Sequence, residues 1–125
     1  MFIVNPDKSI YITRGDIGAL VTDAKTTDGE PYTFEVGDIV RLRIFKKNHH
    51  DDVVVQKDVQ IELATQEVEF FLNREDTKIG EIINKPVEFW YEVELNPDTA
   101  PQTIIGYDTA GPKIFKLFPE GGDKT

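Results

Sequence analysis

Cysteine is absent from this 125-residue chain, which excludes disulfides, thiolate nucleophiles and cysteine-ligated zinc. Histidine is scarce: the two present, His49 and His50, are neighbours, so no imidazole is left to act as a general base elsewhere. No apolar run approaches the ~20 residues that a membrane-spanning helix needs, and membrane insertion is not expected. The opening Met1-Phe2-Ile3-Val4-Asn5-Pro6 lacks the basic start and long apolar stretch of a signal peptide, so synthesis and folding in the cytoplasm are expected. Basic residues are also short. Fourteen Lys and Arg against 23 Asp and Glu leave a net charge of −9. That field repels phosphate backbones, and nucleic acid is not an expected partner.

What is present reads as strands. The length suits one domain, since domains commonly hold roughly 100–150 residues. Alternating apolar positions mark extended segments at Ser9–Thr13, Ile17–Asp23, Tyr32–Val36, Ile39–Phe45, Val53–Leu63, Glu67–Leu72 and Val87–Leu95. Turns fall at Asp28-Gly29, at Gly37-Asp38 and in the polar run Lys46–Asp52, which is expected to be a solvated loop. Lys57 breaks the apolar face of its strand and points to a sheet edge or a bulge there. Asn73 to Gly80 is the one helix candidate, with Asn73 placed to cap it and Gly80 to stop it. Thr103–Tyr107 and Lys113–Phe118 flank a Gly-Pro turn and predict a terminal hairpin. Short strands with turns every 8–12 residues or so predict an all-β, antiparallel sandwich or barrel. Residues 1–118 form its single domain, and 119–125 a flexible polar C-terminal tail.

Few residues suggest chemistry. His49-His50-Asp51-Asp52 contains four metal-ligand types, but adjacent extended residues point opposite ways, so no metal site is expected. Glu62, Glu67, Glu69, Glu88, Glu92 and Glu94 fall on water-facing positions, and nothing pairs two of them in a cleft as a glycosidase requires. No catalytic residue and no cofactor is therefore expected. Arg14-Gly15-Asp16 reads as an ordinary turn between strands. Trp90 and Phe45 sit on strand faces that otherwise carry Glu or Arg. Either they are exposed contacts for a protein partner or a sugar ring, or the segment carrying Tyr107 covers them. Trp90, Phe45 and Tyr107 are the candidate contact residues.

The segments Ile12-Thr13-Arg14-Gly15-Asp16, Phe34-Glu35-Val36-Gly37-Asp38-Ile39-Val40-Arg41-Leu42 and Glu75-Asp76-Thr77-Lys78-Ile79-Gly80 resemble phage and prophage structural proteins of Gram-positive bacteria. So do Thr103-Ile104-Ile105-Gly106-Tyr107-Asp108, Gly111-Pro112-Lys113-Ile114-Phe115 and Pro119-Glu120-Gly121-Gly122-Asp123. The layout is similar to the N-terminal domain of baseplate upper proteins, although those continue into a helical linker. The resemblance implies an immunoglobulin-like β-sandwich with one short helical turn. It also implies a non-enzymatic virion or tail component, made in the host cytoplasm. Its partners would be other phage structural proteins, with a homo-oligomer as one form of assembly. The alternative is a carbohydrate-binding or adhesion module that uses exposed aromatics.

Overall fold

Alternation sets the long strands, as a half-buried sheet requires. The computed structural model describes residues 1–121. In β4 (Ile39–Lys46), Val40, Leu42 and Ile44 are buried while Arg41 and Arg43 lie on the other face. In β7 (Val87–Leu95), Phe89, Tyr91, Val93 and Leu95 are buried, and Glu88, Trp90, Glu92 and Glu94 face outward. These two strands are antiparallel neighbours at the centre of a mixed sheet. β5 (His49–Gln60) flanks β4 at one edge. On the other side follow β9 (Lys113–Phe118), β2 (Ile10–Thr13) and, at the far edge, β1 (Phe2–Val4), while β8 (Gln102–Ile105) also pairs with β7.

A second, two-stranded sheet joins β3 (Gly18–Thr22) to β6 (Val68–Leu72). Leu20, Val68, Phe70 and Leu72 from this sheet share one core with Ile12, Leu42, Ile44, Tyr91, Val93 and Leu117 from the large sheet. The fold is therefore all-β, with two sheets on a common core. It is not wholly antiparallel. β2 runs parallel to β9, pairing Ile10 with Phe115 and Thr13 with Phe118. These strands come from opposite ends of the chain, so no short turn imposes an antiparallel pairing on them.

Several local expectations change. The polar run Lys46–Asp52 is not a loop: Lys47-Asn48 makes a two-residue turn and β5 starts at His49. Asn48 takes φ 64, a left-handed conformation that asparagine tolerates. Lys57 does lie on an edge strand, where its ammonium reaches Asp76 at 2.8 Å. The irregularities fall elsewhere in β5: Ile44 pairs with Val55 and Phe45 with Val53, leaving Val54 as an extra residue, and Lys46 then pairs with His49, leaving His50, Asp51 and Asp52 out of the ladder. Leu63 is exposed instead of joining the inner face, because β5 ends at Gln60. Tyr32–Val36 forms no strand; Phe34 is fully buried and makes a single bridge to Thr65. The helix α1 (Arg74–Thr77) is one turn long, with Asn73 and Asp76 forming a reciprocal capping box. Of the polar C-terminal segment, Glu120 is held at 2.8 Å by Arg14, and residues 122–125 lie outside the described ones.

The terminal hairpin does not form. β8 and β9 both pair with the same edge of β7, β8 along its C-terminal part and β9 along its N-terminal part. They are successive pieces of one line of strand, interrupted between them. The turn at Gly37-Asp38 is fastened from three sides. Asp38 accepts hydrogen bonds from the Glu35 N–H (2.9 Å), Tyr32 Oη (3.0 Å) and Asn96 Nδ2 (3.2 Å). Burial pushes its pKa up, but these donors outweigh burial and hold it below the ordinary value.

Candidate functional site

The interruption beside β7 builds a pocket. Val93 pairs with Ile105 and Tyr91 with Lys113, so Glu92 faces the gap from which residues 106–112 leave the sheet. Gly106 is buried at the exit, where a Cβ would come within 2.6 Å of the Thr103 methyl. A tight turn closes the excursion, with the Asp108 and Gly111 backbones bonding each other both ways. The excursion carries Tyr107 over Trp90, and the two rings meet edge to face at 6.1 Å. Beside this pair opens a pocket of about 260 Å³, lined by Phe45, His50, Trp90, Glu92, Tyr107 and Lys113, with Asn48, Tyr91 and Pro112 completing the wall.

All three sequence candidates meet here, in different states. Tyr107 is 73% exposed and Phe45 only 6%. Phe45 is thus not an open contact. It lies directly across from Trp90 in the β4–β7 register, and the His50 ring stands edge-on to it at 4.9 Å. The length of β5 accounts for this cover: once the strand begins at His49, His50 is brought back over β4. Trp90 is half-buried, flanked by Phe45 on one side and Ile114 on the other. Its indole Nε1–H is buried and has no hydrogen-bond partner among the described residues.

The polar rim is charge-balanced. Glu92 Oε1 lies 2.6 Å from His50 Nε2 and 3.3 Å from Arg43 Nη1. Lys113 Nζ donates to Asp108 Oδ2 at 2.8 Å. That ammonium and the Ala110 N–H hold the Asp108 carboxyl below its usual range. Arg41 is gripped by Asp58 and Asp98, which push its guanidinium pKa up. Sequence marks His50 only within a run of metal-ligand types and Glu92 only as a water-facing carboxylate, and it gives Lys113 no role. The available signal was Glu92, which directly follows the aromatic run Phe89-Trp90-Tyr91.

The remaining motifs are structural. Arg14 bonds Glu120 and the Gly80 carbonyl, the latter at 2.7 Å. The Gly15 N–H donates to Thr77 Oγ1 at 2.9 Å, and Thr77 Oγ1 donates to the Asp16 carbonyl at 2.8 Å. The Asp16 carboxylate pairs with the N-terminal ammonium. Arg14-Gly15-Asp16 thus ties the N-terminus, α1 and the C-terminal segment together. Among the described residues, no group of three or more His, Cys, Asp or Glu side chains converges to hold a metal ion.

A second surface of interest is the outer face of the small sheet. Val21 and Phe71 are about half exposed, and Ala19 pairs with Phe71 across the ladder. Ile17, exposed just before β3, continues this apolar row. No helix among the described residues is long and apolar enough to cross a membrane. No family model, no curated protein and no solved structure matches the chain.

Proposed function

We propose that this chain is a non-enzymatic structural protein of a phage or prophage particle, docking on neighbouring structural proteins of the virion or tail. The observation that carries this reading is the apolar row Ile17, Ala19, Val21 and Phe71 on the outer face of the β3–β6 sheet. A contiguous apolar strip on a stable sheet marks a protein contact more often than a lone exposed residue does. The net charge of −9 keeps such a protein soluble before assembly and favours a neighbour with a basic rim around its own apolar patch. An immunoglobulin-like sandwich is the finer fold we propose. It is supported by the two sheets on one core, and the uneven division between them is its departure from that pattern.

The direct test is composition of the particle. A lysogen carrying this gene is induced, the particles are banded on a density gradient, and the chain is sought by mass spectrometry. Presence in stoichiometric amount is expected; recovery only in the unbanded soluble fraction would overturn the proposal. Light scattering of the purified chain over a concentration series then shows whether a homo-oligomer is one of its assemblies. In that case Phe71→Glu is expected to return the mass to that of a monomer.

A further inference from the structure

The pocket beside β7 lies on the other sheet from the apolar row and has no part in that docking. We propose that it binds a single neutral pyranose ring, such as the terminal sugar of a glycan. A pyranose presents an apolar C–H face and a girdle of hydroxyls. The pocket offers the matching chemistry: aromatic walls from Trp90 and Tyr107, with the Glu92 carboxylate, the His50 ring and the Lys113 ammonium around them. Aromatic faces supply the apolar contact and the polar groups orient the hydroxyls.

Charge selects among ligands that fit aromatic walls. Rings beside a carboxylate also suit a quaternary ammonium. Here Glu92 is already matched by Arg43 and His50, and Lys113 stands in the wall, so no unpaired negative charge awaits a cation. An anion fares no better, since Lys113 is held by Asp108 and the chain carries a net −9. A neutral guest remains. Size limits it further: about 260 Å³ is just below the roughly 300–1,000 Å³ of sites that engulf drug-sized ligands, enough for one ring.

Glu92 is the one carboxylate among the lining residues. Glycoside hydrolysis uses two, about 5–9.5 Å apart, so the site is built to hold a sugar rather than cleave one.

Trp90 is the only tryptophan, so its fluorescence reports the pocket directly. The methyl glycosides of glucose, galactose, mannose, rhamnose and N-acetylglucosamine are titrated separately, with tetramethylammonium chloride as the cationic probe. The same protein is applied to an array of immobilised glycans. We expect a saturable emission change with at least one sugar and a Kd on the order of 1–10 mM, the range for a ligand of about 12 heavy atoms. Tyr107→Ala, at an exposed turn position where folding is preserved, is expected to weaken binding by roughly tenfold. A response to tetramethylammonium alone, no sugar bound in titrations or on the array, or equal binding by Tyr107→Ala would each overturn the proposal. None of these outcomes bears on whether the chain is found in particles, so the two readings fail separately.

Discussion

Replacing Asp38 tests how a single carboxylate holds the entry to β4. Its three donors come from two pieces of chain: the Glu35 backbone and the Tyr32 ring just before the turn, and the distant Asn96, whose Oδ1 in turn accepts from the Ile39 N–H at 2.9 Å. A hydrogen bond to a charged group contributes about 1.5–3 kcal/mol, and the contributions within one network do not add fully. Asp38 is half-buried, so water re-solvates some donors once it is gone. Asp38→Ala is therefore expected to cost about 2–3 kcal/mol, or on the order of 10 °C in Tm for a domain of this size. Asp38→Asn keeps an acceptor and loses the charge, at a cost of about 1 kcal/mol.

The pH dependence has a definite sign. The folded pKa of Asp38 lies below its ordinary 3.8, so its contribution is complete above that value and is lost as pH falls through the folded pKa. Urea unfolding followed by Trp90 fluorescence, at intervals from about pH 7 down to about pH 2, should show the margin of wild type over Asp38→Asn closing at the acid end. An Asp38→Ala variant within about 0.5 kcal/mol of wild type at neutral pH would refute the reasoning, since that is the range of an ordinary surface substitution. So would an Asp38→Asn margin unchanged at the lowest pH.

Three further outcomes are expected. Thr77→Val removes the hydroxyl that accepts from Gly15 and donates to Asp16; leaving these partners unpaired costs about 1–3 kcal/mol, read by thermal unfolding. Gly18→Ala places a methyl 2.4 Å from the Phe2 ring. It should displace β1 at a cost of about 1–3 kcal/mol, and hydrogen exchange should show protection lost at Phe2–Val4 while β4 and β7 keep theirs. Phe70→Ala, at a fully buried ring between the sheets, should cost about 3–5 kcal/mol in chemical denaturation.

Sequence alone determined the all-β class, the positions of most strands and the cap of the short helix. Each of these rests on local physics: the period-two alternation in β4, β6 and β7, and the reach of Asn73 to its own helix turn. Sequence also picked out Phe45, Trp90 and Tyr107, because large aromatics on a charged strand face are conspicuous wherever they end up. It did not decide what became of them. Phe45 is buried because a hairpin turn shortened to Lys47-Asn48 brings His50 over it, and turn length depends on which residues pair, not on polarity alone. The parallel β2–β9 pair joins strands some hundred residues apart, where no local signal exists. The expected terminal hairpin became two strands on one edge of β7, since that central strand offers more ladder than a lone hairpin would. The pocket arises only from that choice: tertiary pairing with β7 forces residues 106–112, and Tyr107 with them, out of line, while the sheet brings His50 of β5 and Glu92 of β7 together across β4.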